Sequence, residues 1–304
     1  MRVVAALGGN ALIRRHEDGD VETQRRNVEI AAAALAPVAG EHELIVTHGN
    51  GPQIGLLAMQ SANGSGPPVP LDILGAESEG LIGYMVAQGL ENVLPEREVA
   101  TVLTQVVIDP DDPAFGRPTK PIGPVYLTRE AAFVMAKDHH WDIAADGDVW
   151  RRVVASPEPQ RIVELKAIEL LVEAGVIVVC VGGGGVPVVV DEAGRVSGVE
   201  AVIDKDLAAS LLARQLGADA LLLLTDVAGV ETDFGAPDSE VISAATPEQL
   251  RELDLAAGSM GPKVEAACRF VEATGGRAVI AQLDAAGEAL AGNAGTAVGS
   301  VQRA

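Results

Sequence analysis

Short, nearly uninterrupted apolar runs recur along this chain with helical stretches between them, and that alternation most narrows the folds open to it. Residues 3–7, 44–47, 176–181, 220–225 and 278–283 are such runs. A strand buried on both faces reads as a continuous apolar run, and strands alternating with helices build a mostly parallel sheet covered on both sides. Between the runs, residues 22–39 place Val28, Ala31, Leu35 and Val38 at helical spacing. Residues 52–62, 71–94, 162–174, 206–216 and 261–274 read as further helices, and 98–108 as another strand. The predicted class is α/β. In such sheets ligands sit beyond the carboxyl ends of the strands, where this chain carries its glycine turns: Gly8-Gly9-Asn10 after the first run and Gly49-Asn50-Gly51-Pro52 after the second.

The turns suggest the ligand. Glycine lets the backbone approach an anion closely, successive N–H groups can cradle it, and a helix opened by Pro52 adds a favourable dipole. Either turn alone could be a plain strand ending; two on neighbouring strands point to phosphate. The lysines agree. Only five of the 304 residues are lysine against seventeen arginines, and three of the five stand in motifs of Gly, Pro and Asp. These are Lys120 between Pro118 and Pro121, Lys205 between Asp204 and Asp206, and Lys263 after Gly261-Pro262. A compact ammonium on a flexible stem fits phosphate oxygens where a planar guanidinium fork does not. Lys263 in the first turn of a helix opposes the helix dipole, so a purely structural reason for it is weak. Bland readings stay open elsewhere. Asp204 or Asp206 can be a helix N-cap, Lys120 a solvated loop residue, and Gly182-Gly183-Gly184-Gly185 either a tight backbone crossing or a ligand contact. That glycine run is no dinucleotide fingerprint, because Pro187 or Val188 occupies the position of the third glycine, and there is no Walker A motif.

A formal net charge of −21 excludes nucleic acid and anionic membranes as partners, since both require a basic footprint. No window carries the apolar length of a membrane span, and the apolar opening is too short for a signal peptide, so a soluble cytoplasmic protein is expected. Cys180 and Cys268 sit in apolar runs as reduced core residues, and the scattered histidines suggest no metal cage. Residues 109–152 break the alternation with repeated prolines, both tryptophans and an acidic turn. This excursion reads as a binding loop or lid, with 150–154 strand-like on the way back.

Taken in order, several segments resemble the carbamate kinases of the amino-acid-kinase superfamily, over residues 3–296. They include Ala6 to Leu12, Thr47 to Gln53, Gly75 to Tyr84, Pro118 to Gly123, Arg151 to Val154, Glu200 to Asp206 and Gly258 to Lys263. The resemblance implies an α/β/α sandwich as a single domain, residues 1–304. It implies a substrate half of about 1–200 with a protruding lid of about 109–152, and a nucleotide half of about 201–304. It implies reversible phosphoryl transfer between ATP and carbamate, giving carbamoyl phosphate and ADP with Mg2+, and serving ATP formation in arginine fermentation. It further implies a homodimer. Lys205, Lys263, Lys120 and Asp206 would be catalytic, and Gly8, Gly9, Asn10, Gly49, Asn50 and Gly51 would hold carbamate or carbamoyl phosphate. Lys205, Thr225, Asp226, Met260 and Lys263 would meet the nucleotide, whose own phosphates would hold most of the Mg2+. Two positions depart from the family pattern: Ala155 replaces a proline, and Glu231 stands where an aromatic residue is usual near the nucleotide. A kinase of the same fold acting on another small acid, or a nucleotide sensor without catalysis, remains an alternative.

Overall fold

The computed structural model describes residues 1–9, 20–64, 66–139, 141–232, 239–253, 255 and 260–299. The chain opens with β1 (Arg2–Leu7), α1 (Val21–Glu41), β2 (Glu43–His48), α2 (Gly51–Ala62) and α3 (Leu71–Val93). It continues through β3 (Val99–Val102), β4 (Gln105–Val107), β5 (Lys120–Tyr126), α4 (Arg129–His139), β6 (Asp142–Asp146) and β7 (Val149–Val154). Next come β8 (Arg161–Ile162), α5 (Leu165–Glu173), β9 (Ile177–Cys180), β10 (Val186–Val190), β11 (Val196–Gly198) and α6 (Lys205–Gln215). It finishes with β12 (Ala220–Thr225), β13 (Ala244–Ala245), α7 (Pro247–Arg251), α8 (Met260–Thr274), β14 (Arg277–Gln282), α9 (Ala286–Ala291) and β15 (Thr296–Val298).

An eight-stranded sheet in the order β13-β15-β14-β12-β1-β2-β9-β3 forms the centre, and all its pairings are parallel except β14 with β15. Its middle strands are apolar throughout because both faces are buried. On β1, Val4 and Ala6 enter one core cluster with Phe270 and the α6 alanines, while Val3, Ala5 and Leu7 enter the other with α1 and α9. Strands β12 and β14 divide in the same way: Leu221, Leu223 and Ile280 face one side, Leu222, Leu224 and Val279 the other. The α/β expectation holds, as a sheet between two helical layers.

Two expected elements are corrected. The strand expected over 98–108 is two strands in two sheets, with β3 at the edge of the main sheet and β4 in a four-stranded sheet ordered β11-β10-β4-β8. Thr104 marks the change, its hydroxyl donating to the Val102 carbonyl at 2.7 Å and accepting from the Val181 N–H at 3.0 Å. The helix expected from 162 begins only at Leu165. Ile162 pairs with Val106 instead, and the Glu164 carboxylate accepts from the backbone N–H and side-chain amide of Gln105 at 2.7 and 2.8 Å.

Between β4 and β8 the chain builds a separate antiparallel sheet, ordered β5-β7-β6, with α4 packed on it. Ile122 of β5 and Val154 of β7 join a small core with Ile54, Ala58, Leu71 and Leu74 of α2 and α3. Among the described residues, no helix is long and apolar enough to cross a membrane.

Candidate active site

The site is assembled where β1, β2 and β12 end and α2, α6 and α8 begin. Asp204 is the N-cap of α6: one carboxylate oxygen accepts from the backbone N–H groups of Asp206 and Leu207 at 2.9 and 3.3 Å. That cap fixes the first turn and sends Asp206, 3 % exposed, inward. Helix α8 lies close along α6, because small residues such as Ala209, Ala213, Ala266 and Ala267 face the shared core and the Ser210 hydroxyl donates to the Ala266 carbonyl at 2.8 Å. The close approach brings Lys263 to Asp206. Lys205 Nζ donates to Asp206 Oδ1 at 2.5 Å and Lys263 Nζ to Oδ2 at 3.0 Å, so one buried carboxylate holds two ammonium groups, one on each oxygen.

The charges in this cluster are shaped by burial and by each other. Burial alone would raise the Asp206 carboxyl, but Lys205 and Lys263 outweigh it and hold the group well below the usual carboxylate range. Burial pushes the Lys205 ammonium down to about 8, against the pull of Asp206 and with the help of Lys263. Burial opposes the charge on Lys263 as well, yet Asp206 keeps that ammonium above its ordinary value.

The glycine turns reach the same place. The Gly8 N–H donates to the Leu224 carbonyl at 2.9 Å and the Gly49 N–H to Leu7 at 3.0 Å, each turn continuing the parallel ladder. A β-carbon on Gly49 would stand 2.9 Å from the Gly9 nitrogen and 3.1 Å from Lys205 Cδ, so nothing larger than glycine fits there. Gly8 abuts Thr225 at the end of β12. Gly51 opens α2, whose N-cap, Asn50, gives it no side-chain hydrogen bond. The Asn50 amide instead donates to Ser78 Oγ on α3 at 2.8 Å. Asn10 lies outside the described residues.

Lys120 reaches the site at one remove: its ammonium pairs with the second oxygen of Asp204 at 2.5 Å, not with Asp206. Thr225 donates to Asp226 at 3.2 Å, and Asp226 is near enough to Lys263 to help hold its charge. Met260 opens α8 and packs against the core. Glu231 accepts from Ser239 at 2.9 Å, and Ala155 is buried, its carbonyl held by the Val202 N–H at 3.0 Å.

The glycine run 182–185 makes a tight backbone crossing. Gly183, Gly184 and Gly185 have φ of 66, 98 and 83°, and added β-carbons would strike Asn50, Ile203 and Val106. Asp204 is an N-cap and a lysine partner at once, and the sequence reading saw only the first role. Its signal was available in the Asp-Lys-Asp spacing, which puts two carboxylates on the opening turn of one helix. A cavity of about 450 Å³ opens between the small sheet and α2, lined by Trp141, Arg152, His139 and Phe115 among others. None of Lys120, Lys205 and Lys263 lines it, so it lies apart from the lysine cluster.

Comparison with known proteins agrees with this geometry. Residues 1–282 match the model of the amino acid kinase family, and the chain belongs to that family. Within it the chain groups with the carbamate kinases. It is 52% identical over 300 residues to the carbamate kinase of Haemophilus influenzae, covering 98% of this chain and 96% of that one. It is 54% identical over 287 residues to that of Rhizobium meliloti, covering 93% and 88%. The solved structure of carbamate kinase from Giardia lamblia bound to AMP-PNP superposes with a TM-score of 0.87 at 42% identity, over 98% of both chains.

Proposed function

We propose that this chain transfers a phosphoryl group reversibly between ATP and carbamate, giving carbamoyl phosphate and ADP. The observation that carries the reading is the Lys205–Asp206–Lys263 cluster facing the glycine turns of β1 and β2. In the synthetic direction a carbamate oxygen attacks the terminal phosphorus of ATP. The bond from that phosphorus to the oxygen bridging it to ADP breaks, and its electron pair leaves on ADP. Carbamate is already an anion with a nucleophilic oxygen, so no proton need be removed, which agrees with a site built of lysines and backbone amides. Catalysis then rests on alignment and on spreading negative charge in a loose phosphoryl transition state. Lys205 and Lys263 supply the positive charge, and Asp206 holds both ammoniums at fixed points, so little reorganisation is needed during transfer.

Gly8, Gly9, Asn10, Gly49, Asn50 and Gly51 are proposed to hold carbamate, and Thr225, Asp226 and Met260 to border the nucleotide. Mg2+ would neutralise phosphate charge. That ion is proposed to be carried mainly on the nucleotide phosphates. The small sheet with α4, within about 109–152, is proposed as a lid on a single domain of substrate and nucleotide halves, its Lys120 drawn in through Asp204. A homodimer is supported by Ile73, Leu81 and Tyr84, exposed apolar side chains along α3. A cytoplasmic place and ATP formation during arginine breakdown follow from the family likeness. Phosphorus NMR of the protein with ATP, Mg2+ and a panel of carbamate, acetate and glutamate tests the substrate. A carbamoyl phosphate signal with carbamate alone is expected, and equal or faster transfer to another acid would overturn the reading.

A further inference from the structure

Behind the Gly49–Gly51 turn lies a buried acid and imidazole that the transfer reaction does not use. Glu79 of α3 is 1 % exposed and His48, the last residue of β2, is fully buried. Glu79 Oε1 accepts from the Gly182 N–H at 2.9 Å, and the His48 Nδ1 faces its neighbour's Gly49 carbonyl at 3.3 Å. Their other polar atoms, Glu79 Oε2 and His48 Nε2, are both buried without a hydrogen-bond partner. Both side chains flank Gly182: a β-carbon there would stand 2.4 Å from His48 Nε2 and 2.8 Å from Glu79 Cγ. Two buried polar atoms left without partners are costly, and both are satisfied when a proton is relayed from one to the other.

We propose that Glu79 is a positioning residue, a neutral carboxylic acid whose Oε2–H is relayed to His48 Nε2 through one water. The relay fixes the Nδ1–H tautomer of His48, which donates to the Gly49 carbonyl and so turns the Gly49–Gly51 amides toward the anion. Helix α3 thereby braces the turn twice, since Ser78 holds Asn50 one residue before Glu79. Burial, aided by Glu164, raises the Glu79 carboxyl to about 8, and burial lowers His48 to about 4 with Lys205 adding to the effect, so both are neutral near pH 7. The Cys180 thiol, itself raised by burial, also faces Glu79, and the Thr104 N–H and hydroxyl lie near enough to favour the charged carboxylate, an effect that burial outweighs. The Thr104 hydroxyl already donates to Val102 and accepts from Val181.

The functional consequence rests on the proposed carbamate reaction, whereas the proton placement does not, so the two are measured separately. Nitrogen-15 spectra of histidine-labelled protein at pH 7, with His48 assigned by substitution, should show Nδ1 protonated and Nε2 not. Glu79→Gln offers an amide N–H toward Nε2 through the same water and a carbonyl to Gly182, and should keep both that signature and wild-type kinetics. Glu79→Leu should lose the signature and raise the KM for carbamoyl phosphate about tenfold, with the KM for ADP unchanged, as a displaced turn would. A His48 protonated at Nε2 in the wild type would overturn the relay even if the Leu variant failed to fold. So would a Glu79→Gln protein as impaired as Glu79→Leu, because an ionised carboxylate would then be what the turn requires.

Discussion

Asp206 is the residue on which the site turns, because each of its oxygens carries one of the two lysines. Removing one partner of a buried charge cluster leaves the others uncompensated. Asp206→Asn should therefore destabilise the fold by about 3 to 5 kcal/mol in urea unfolding, more than either lysine-to-alanine change. If it unfolds like the wild type, the lysines are not held as described. The pH dependence follows from Lys205, whose ammonium is pushed down to about 8. Only the charged form attracts phosphate oxygens, so kcat/KM for carbamoyl phosphate should be flat below pH 8 and fall about tenfold per unit above it, as expected for one essential proton on the free enzyme. A profile rising through pH 8 would contradict this. Residue types were legible where chemistry made them unusual: scarce lysines among glycines and aspartates. The partner of Lys120 was not legible, because nothing in the sequence says that two segments 84 positions apart meet at Asp204.

Single elements divide the work, and each can be tested alone. The Lys120–Asp204 pair is partly exposed and so adds little stability, about 0 to 1 kcal/mol. Lys120→Ala should lower turnover or carbamoyl phosphate affinity while leaving ADP binding and the melting temperature nearly unchanged. A fall of several degrees in melting temperature with turnover intact would make Lys120 structural and remove the lid proposal. Helix α3 carries a different signature. The Glu79 carboxyl has a folded-state value of about 8 against 4.5 for the free group, so the native state holds a proton that the unfolded state releases. Its contribution to stability is greatest below pH 4.5 and is lost as pH rises toward 8. Glu79→Gln should thus be more stable relative to wild type at pH 9 than at pH 6 in urea titrations, and a constant difference would refute it. Long periodic elements were readable in the sequence, because α1, α3 and the central strands bury continuous faces. The split of 98–108 and the late start of α5 were not, since a threonine hydroxyl and the Glu164 carboxylate decide them through contacts far along the chain.

At the scale of the whole molecule, the proposed phosphate site lies inside a body of net charge −21. Such a surface repels itself, and salt screens that repulsion over a distance of about 10 Å at 0.1 M. The melting temperature should rise as KCl is added from low ionic strength, while carbamoyl phosphate affinity, set by buried lysines, should change less. A melting temperature that falls with KCl would rule out self-repulsion as a limit on stability. The strand-end location of the site was legible from the fold class alone, because a parallel sheet gathers its turns at one edge. The crossing of residues 182–185 was not, for a run of four glycines reads equally as a ligand loop until His48, Glu79 and Asn50 are seen against it.

The central claim is that Lys205 and Lys263 act as one unit in phosphoryl transfer, and the initial rate of ATP formation from carbamoyl phosphate and ADP tests it most directly. Lys205→Ala and Lys263→Ala should each lower kcat by roughly 100-fold, the scale of losing a preorganised charge contact. The double variant should fall little further, because groups that act together are strongly non-additive. Either single variant retaining more than about a tenth of wild-type turnover, while folded and binding ADP, would contradict the account.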